Sequence, residues 1–218
     1  MADFLENKRV NITKNMDSYE NKYYNMGYKF IAGVDECGRG CLAGPVAAAA
    51  VILPVGCELR GVDDSKLLTE ARRERAFDLI MQKALFIRFA TIDAVEIDRI
   101  NILKASLKAM GRAIDDLPLK PEIVLIDGPF QPDINKEGKI FETIIKGDTK
   151  SISIAAASIV AKVMRDRLMR LYHGDYPCYG FNKHKGYGTK AHYAAIAKNG
   201  ICPLHRRSFR LYKNDAKQ

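Results

Sequence analysis

Short apolar runs alternate with longer amphipathic stretches along the chain, and this alternation predicts an α/β fold. The first two runs, "KFIAGVD" and "PVAAAAVIL", flank a glycine-rich segment and predict two strands joined by a hairpin or a wider loop. Helix propensity would also suit the alanine run, but Pro45 and Pro54 bound a length that is typical of a strand. We therefore expect both runs to be strands of one sheet.

Helices and further strands follow the alanine run. Apolar residues at helical spacing in "DDSKLLTEARRERAFDLIMQKA", with Thr69 able to cap the start, predict a helix, and "LFIRFATID" then alternates as a strand does. From Asp93, which forms a capping pair with Glu96, the segment "AVEIDRINILKASLKAMGRAIDDL" predicts one long amphipathic helix. The nearly continuous apolar run "EIVLIDG" predicts a strand that is buried on both faces.

The last part of the chain predicts one more strand and two more helices. "KIFETIIKGD" is strand-like, and "SISIAAASIVAKVMRDRLMRLY" predicts a helix of small residues that ends at Gly174 and packs closely on the sheet. A further helix is expected over residues 189–199, with Gly200 at its end. Residues 1–28 are polar and rich in Asn and Lys, so we expect a peripheral arm with one short helix around residues 20–26.

Composition and charge restrict the class of protein. The chain has 218 residues with 47% hydrophobic content, which is enough for a substantial core. Lys and Arg number 35 against 26 Asp and Glu, so the formal net charge of +9 favours a polyanionic partner without saying whether it is nucleic acid. No stretch approaches the roughly 20 apolar residues of a membrane span.

Cysteine usage indicates a reducing environment. The five cysteines form an odd set without regular spacing, and no secretory signal follows Met1, so we expect a cytoplasmic location. Cys202 and His205 have the spacing of half a zinc site, but no second nearby pair completes a tetrahedral set. A structural zinc ion is therefore disfavoured.

Three apolar segments end in acidic residues, namely Asp35 with Glu36, Asp127, and Asp148. Ligands bind at strand ends in open α/β sheets, so these acids are candidates for convergence. A converged pair would repel by about 4 kcal/mol at about 4 Å with an effective dielectric constant near 20, which cations or protons would relieve. Oxygen ligands without His or Cys suit Mg²⁺ or Mn²⁺, and on a basic protein they favour two-metal hydrolysis of a phosphodiester.

The acids also have a simpler explanation. An acidic residue at a strand end commonly caps a turn or the next helix, and capping would explain any one of these positions alone. Capping explains the combination of all four less well. The residues by themselves therefore favour, without establishing, a metal-dependent phosphodiester enzyme.

Eight ordered motifs give the chain a resemblance to ribonuclease HII, and they span about residues 31–209. They are "GVDECGRGCLAGPVAAAAVIL", "DDSKLL", "EIDRINILKASLKAM", "LIDG", "KGD", "IAAASIVAKVMRDRLM", "YGFNKHKGYGT" and "HRRSF". The resemblance implies an RNase H-like fold with a mixed five-stranded sheet flanked by helices and a C-terminal helical region. It implies three parts, an N-terminal arm (1–28), a catalytic domain (29–172) and a basic substrate-binding region (173–218).

The resemblance also implies an activity and a set of site residues. The enzyme would cut the RNA strand of RNA/DNA hybrids and would also cut duplex DNA at embedded ribonucleotides. It would act as a monomer with two Mg²⁺ or Mn²⁺ ions and would not bind a membrane. The family's metal-binding acids fall on Asp35, Glu36, Asp127 and Asp148. Its substrate-binding residues fall on Gly38, Arg39, Gly40, Lys66, Lys183, Lys185 and Tyr187.

Each group of substrate-binding residues has an expected role. The glycine-rich backbone would approach a ribose and bind its 2′-hydroxyl, the group that distinguishes RNA from DNA. The Tyr187 ring would stack on a sugar at the junction, although a tyrosine between glycines is also common as an ordinary loop residue. The three lysines would contact phosphates, although such lysines are usually just solvated.

The chain departs from the common family pattern at a few positions. Bacterial members commonly have Ala and Pro where this chain has Cys37 and Cys41, and often a second Lys in place of Leu67. Asp166 competes with Asp148 as the fourth acid, but its place inside a helix between arginines favours a salt bridge. Two rivals are a ribonuclease HIII-like enzyme, expected to have a Gly-Lys-Gly loop and an N-terminal substrate-binding domain, and a non-catalytic hybrid-binding module.

Overall fold

One mixed sheet of five strands lies at the centre of the residues described by the computed structural model, which are 16–59, 68–132, 134 and 137–212. The strands are β1 (Ile31–Cys37), β2 (Val46–Ile52), β3 (Phe86–Ile92), β4 (Ile123–Asp127) and β5 (Ile140–Ile144). They lie in the order β3-β2-β1-β4-β5, with β2 antiparallel to β1 and β3, and β4 parallel to β1 and β5. The predicted α/β fold and the strand assignment of the alanine run are therefore confirmed.

Seven α-helices in the described part of the chain flank this sheet or extend beyond it. They are α1 (Ser18–Asn25), α2 (Glu70–Lys83), α3 (Ala94–Ile100), α4 (Ile102–Asp115), α5 (Ile152–Asp175), α6 (Phe181–His184) and α7 (Lys190–Asn199). The predicted caps are confirmed at Thr69 and Asp93, and Thr189 caps α7. Each of these side chains accepts a hydrogen bond from the N–H group three residues later.

The long helix predicted after Asp93 is two helices in the structure. Asn101 separates α3 from α4 with a backbone φ of 71° and ψ of 163°, a conformation that is rare for residues other than glycine. Its N–H donates to the carbonyl of Ile97, and its side chain accepts from the N–H of Lys104. Asn101 therefore closes α3 and caps α4, which the continuous apolar stripe did not reveal.

Helix α5 packs on one face of the sheet and α4 packs on the other. All seven residues of β2 are buried, and its alanines contact both layers. On β1, a Cβ atom added to Gly33 would lie 2.0 Å from the carbonyl carbon of Ser153 in α5. Close packing of α5 on the sheet is therefore observed as predicted, and it requires glycine at residue 33 of β1.

The described part of the N-terminal segment packs against the sheet, whereas its polar sequence predicts a peripheral arm. Tyr23 of α1 is buried against residues of β1, β4 and β5. Glu20 is also buried, and its carboxylate accepts hydrogen bonds from the Ser151 hydroxyl (2.5 Å) and the Ser153 N–H (3.0 Å) at the start of α5. The predicted boundary between the catalytic domain and the C-terminal region, at residues 172 and 173, falls inside α5, which continues to Asp175. The domain boundaries therefore stay predictions.

The C-terminal region packs beside the glycine-rich segment that joins β1 to β2 (residues 38–45). Phe181 of α6 and Ile196 of α7 are buried together with Leu42 and Met169. The helix predicted over residues 189–199 is confirmed as α7, with Gly200 directly after it. Within the described ranges, no helix is long and apolar enough to cross a membrane.

Candidate active site

Three of the four candidate acids lie on neighbouring strands, Asp35 and Glu36 on β1 and Asp127 on β4. Strands β1 and β4 run parallel with Val34 opposite Ile126, so the next residues, Asp35 and Asp127, follow side by side. Asp35 is 4% exposed, and its carboxylate accepts the N–H of Glu36 at 2.7 Å. Asp127 is the last residue of β4, as the apolar run predicts. The predicted strand end is therefore confirmed for Asp127, whereas Asp35 and Glu36 lie within β1, which continues to Cys37.

Asp148 lies in a different kind of element from the one predicted. Strand β5 ends at Ile144, and Asp148 lies in a one-turn 3₁₀ helix (Gly147–Thr149) before α5, so the predicted strand end is wrong for this acid. The Oδ1 atom of Asp127 accepts the N–H of Gly147 at 2.6 Å, which ties this turn to the end of β4. Asp148 itself is 3% exposed. The turn thus adds a third element beside the end of β4. We refer to Asp35, Glu36, Asp127 and Asp148 together as the acidic edge of the sheet.

Burial and mutual repulsion make Asp35 and Glu36 costly to ionise. Burial raises the pKa of Asp35 well above its usual value, and the charges of Glu36 and Asp127 raise it further. Burial also raises the pKa of Glu36, while a hydrogen-bonded ion pair with Arg39 (3.2 Å) opposes that rise. Divalent cations would relieve this cost, and carboxylate oxygens are ligands that Mg²⁺ and Mn²⁺ prefer.

The acids fit a divalent metal by their donor chemistry and charge. Asp35, Glu36, Asp127 and Asp148 offer only oxygen ligands, as hard cations require. In the part of the chain that the structure describes, no three carboxylate, thiol or imidazole side chains are already grouped closely enough to hold an ion. The four acids are therefore candidate ligands on chemical grounds, and their metal site is a proposal.

A buried arginine fixes the glycine-rich segment that follows β1. Arg206 is 0% exposed and donates to the carbonyls of Gly38 (2.7 Å), Arg39 (2.8 Å) and Gly44 (3.0 Å). Burial lowers the pKa of its guanidinium to about 10, so the group stays charged at neutral pH. The motif "HRRSF" contains this residue, but nothing in its spacing indicated the role of Arg206.

A second buried arginine holds the same segment from α5. The guanidinium of Arg165 donates at 2.9–3.2 Å to the carbonyls of Ala43, Pro45 and Lys185. A Cβ atom added to Gly38, whose φ is 92°, would lie 2.1 Å from the Nε atom of Arg165. The protein itself therefore requires glycine at residue 38, whereas a Cβ atom at Gly40 would meet open space.

Tyr187 lies against the glycine-rich segment. It forms an antiparallel bridge with Cys41, and the N–H of Leu42 donates to the carbonyl of Gly186 at 2.8 Å. The tyrosine is 39% exposed, and the Nζ atom of Lys162 lies 5.5 Å from the ring centroid. Burial raises the pKa of the phenol. The structure thus brings a partly exposed aromatic ring next to the segment predicted to bind ribose.

The three candidate lysines differ in their surroundings. Lys66 lies outside the described residues, and Lys183 is exposed. Lys185 is 8% exposed, its ammonium donates to the carbonyl of Asn182 at 2.5 Å, and burial lowers its pKa. Lys185 therefore has a structural role, and the phosphate contacts of all three lysines stay predictions.

Asp166 is held in an ion pair inside α5. Its carboxylate accepts a hydrogen bond from Lys162 at 2.8 Å, one helical turn earlier. This contact confirms the predicted salt bridge and identifies Lys162 as a partner.

The chain is similar to named proteins over most of its length. A family model described as Ribonuclease HII matches residues 32–212. Ribonuclease HII of Acetivibrio thermocellus is 53% identical over 202 residues, which cover 93% of this chain and 78% of that protein. The crystal structure of ribonuclease H2 from Pyrococcus horikoshii OT3 matches with a TM-score of 0.68 and 26% identity, covering 84% of this chain and 94% of that one. Bst-RNase HIII in complex with Mn²⁺ shares the fold at a TM-score of 0.66 and 21% identity, covering 86% of this chain and 69% of that one.

Proposed function

Because the chain belongs to the ribonuclease HII family, we propose that it cleaves the RNA strand of RNA/DNA hybrids and cuts duplex DNA at embedded ribonucleotides. Membership of this family makes it a type 2 ribonuclease H, a metal-dependent endonuclease. The proposed products carry 5′-phosphate and 3′-hydroxyl ends, as hydrolysis with a leaving 3′-oxygen produces.

The main support for this proposal is that the chain passes directly from the acidic edge into the glycine-rich segment. Asp35 and Glu36 precede Gly38 by only two or three residues on one stretch of chain. Arg206 and Arg165 hold the backbone of that segment through its carbonyls. A nucleotide bound at this backbone would therefore lie beside the acids, as cleavage at a ribonucleotide requires.

The metal-dependent step is assigned to the acidic edge, with two Mg²⁺ or Mn²⁺ ions proposed to bind at Asp35, Glu36, Asp127 and Asp148. Such ions supply an activated water and stabilise the leaving oxygen of a phosphodiester. The protein orients its carboxylates through main-chain donors, since the N–H of Glu36 binds Asp35 and the N–H of Gly147 binds Asp127. No protein nucleophile is needed for this chemistry.

Discrimination of RNA from DNA is assigned to the glycine backbone and Tyr187. Open space at Gly40 leaves room for a ribose, whose 2′-hydroxyl is absent from DNA. The partly exposed ring of Tyr187 is available to stack on a sugar at an RNA–DNA junction. The main chain of Gly38, Arg39 and Gly40 is the proposed contact to the ribose, and Lys66, Lys183 and Lys185 are the proposed contacts to phosphates.

The whole chain has properties that support this partner and location. Its formal net charge of +9 suits a polyanionic duplex. All five cysteines are free thiols, which supports a reducing compartment and the proposed cytoplasmic location.

Two other functions are less well supported. A ribonuclease HIII-like enzyme would have a Gly-Lys-Gly loop where this chain has Gly38, Arg39 and Gly40. A non-catalytic module that only binds hybrids would have no need for all four acids of the edge.

Cleavage mapping on three duplexes tests the proposal. The purified protein is given a duplex with one embedded ribonucleotide, a long RNA/DNA hybrid and an all-DNA control, each with Mg²⁺, Mn²⁺ or a chelator. We expect metal-dependent cuts in the first two duplexes and none in the third. Hybrid binding without any cleavage would support the non-catalytic module, and cleavage of the long hybrid alone would contradict the proposed action at embedded ribonucleotides.

A further inference from the structure

Three of the four histidines lie together beneath the segment that carries Tyr187. His192 of α7 and His205 are buried, with 3.2 Å between their Nε2 atoms. His184 of α6 stacks on His192 with 4.4 Å between ring centroids. The proposed cleavage step uses none of these side chains, so their arrangement needs another explanation.

The hydrogen bonds indicate which ring nitrogen of each buried histidine carries the proton. His192 Nδ1 lies 3.0 Å from the carbonyl of Tyr187, so Nδ1 is the donor and Nε2 is the acceptor. His205 Nε2 therefore donates to His192, and His205 Nδ1 accepts from the N–H (3.0 Å) and the thiol (3.2 Å) of Cys202. A hydrogen-bond relay thus runs from Cys202 through both rings to Tyr187.

The opposite pair of tautomers leaves polar atoms unsatisfied. A proton on His205 Nδ1 could bond the carbonyl of Cys202 at 3.3 Å, but His192 Nδ1 would then present a lone pair to the carbonyl of Tyr187. The N–H of Cys202 would also lose this acceptor. Buried polar groups are costly to leave unpaired, so the relay toward Tyr187 is favoured.

His184 holds the residue before Tyr187. Its Nε2 donates to the carbonyl of Tyr179 at 2.7 Å, and its Nδ1 accepts the N–H of Gly186 at 3.2 Å. Imidazoles therefore bind both the N–H of Gly186 and the carbonyl of Tyr187, which also accepts the N–H of Thr189 at 2.8 Å. These contacts matter because the glycines on both sides of Tyr187 restrict the backbone little by themselves.

The relay requires neutral imidazoles. Burial lowers the pKa of His192 to about 4 and also lowers the pKa values of His184 and His205. The titratable groups facing His192 and His205 are each other, His184, the Tyr179 ring and the Cys202 thiol. A proton added to His192 would set two N–H groups against each other across the 3.2 Å contact.

We propose that His192 and His205 are positioning residues that orient Tyr187 for recognition of the ribonucleotide. This inference rests on the proposed function, which gives Tyr187 the task of reading an RNA–DNA junction. The two rings act through the main-chain carbonyl of Tyr187 rather than by touching substrate. Preference for a junction therefore depends on the Nδ1 donor of His192 as well as on the packing of its ring.

Nitrogen-15 NMR of the histidine rings tests the relay in the intact wild-type protein without any measurement of activity. At neutral pH we expect His192 as the Nδ1–H tautomer and both His184 and His205 as Nε2–H tautomers. An imidazolium at His192, or a proton on its Nε2 atom, overturns the relay.

The ratio of kcat/KM for a single-ribonucleotide duplex to kcat/KM for a long hybrid tests the positioning role. His192→Phe keeps an aromatic ring but loses the donor, so this ratio should fall about 2- to 10-fold, as expected for one hydrogen bond. His192→Asn keeps an N–H near the Nδ1 position and should restore most of the ratio. His173→Phe replaces the histidine outside the cluster and should leave the ratio unchanged.

A double-mutant cycle with Tyr187→Ala separates failure of this inference from failure of the proposed function. If His192 acts through Tyr187, His192→Phe should not lower the ratio further in the Tyr187→Ala protein. If Tyr187→Ala lowers the ratio but His192→Phe leaves it unchanged, the positioning role is wrong and the proposed function still stands. A wild-type protein that cuts neither substrate overturns the proposed function and this inference with it.

Discussion

At the scale of single residues, two buried arginines define the shape of the glycine-rich segment. All three guanidinium nitrogens of Arg206, like those of Arg165, donate to main-chain carbonyls. A planar guanidinium can reach several carbonyls at once, whereas the single ammonium of lysine cannot match that geometry. The conformation of the segment therefore depends on two side chains that lie far from it in sequence.

Arg206→Lys should destabilise the fold by about 2–5 kcal/mol, because buried carbonyls lose their donors. Arg207→Lys changes the exposed neighbouring residue and should alter the free energy of unfolding by less than about 0.5 kcal/mol. Denaturant unfolding of both variants measures this difference. Equal stability of the two proteins would mean that the carbonyls of Gly38, Arg39 and Gly44 do not depend on Arg206.

The two glycines around Arg39 should respond differently to alanine. Gly38→Ala should lower the melting temperature, since its new Cβ meets Arg165 and its φ is 92°. Gly40→Ala should keep the wild-type melting temperature, because nothing lies within 4 Å of an added Cβ, and should lower kcat/KM on RNA-containing duplexes. Thermal unfolding and cleavage kinetics are measured for both variants. Full activity in Gly40→Ala would contradict the proposed ribose contact.

At the scale of helices and strands, local sequence patterns predicted the elements themselves more accurately than they predicted the contacts between those elements. Apolar runs bounded by prolines and glycines identified β1, β2 and β4, because a buried strand requires such a run. Asn101 interrupts a stripe that stays apolar on both sides, so periodicity alone could not find the break. Glu20 is buried because it binds the start of α5, a contact between residues far apart in sequence.

The same distinction applies to the candidate site. Asp35 and Asp127 could be predicted because each comes at or near the end of an apolar run, and neighbouring parallel strands end at the same edge of a sheet. Arg165, Arg206 and His192 could not, because their partners are main-chain carbonyls, which leave no pattern in the sequence. A residue that binds backbone is identified only when the fold shows which backbone lies nearby.

The packing of α6 and α7 through neutral histidines predicts that acid destabilises the protein. His192 has an ordinary pKa of 6.5 and a pKa of about 4 in the fold, so between these values the unfolded chain binds more protons. Its contribution should be complete above pH 6.5 and decline as the pH falls from 6.5 toward 4. Melting temperatures across this range should decline less steeply for His192→Phe than for wild type. Parallel curves would contradict a neutral, buried His192.

At the scale of the whole molecule, the acidic edge, the glycine-rich segment and the C-terminal region belong to a protein with a formal net charge of +9. If about 4 to 6 phosphates are neutralised on binding, a plot of log affinity for hybrid against log salt concentration should have a slope of roughly −3 to −5. Fluorescence anisotropy with a labelled hybrid and a chelator measures binding without cleavage. A slope near zero would contradict binding dominated by phosphate contacts.

Single-turnover cleavage and hybrid affinity, measured together for Asp35→Asn, Asp148→Asn and Asp166→Asn, test most directly whether the acidic edge performs metal-dependent cleavage. Asp35→Asn and Asp148→Asn should each lose more than about 100-fold in cleavage rate while binding hybrid at least as tightly as wild type, because each loses a proposed metal ligand and a repulsive charge. Asp166→Asn removes an ion pair outside the edge and should keep most of the cleavage rate. Wild-type cleavage by Asp35→Asn, or an active Asp148→Asn beside an inactive Asp166→Asn, would contradict the proposed site.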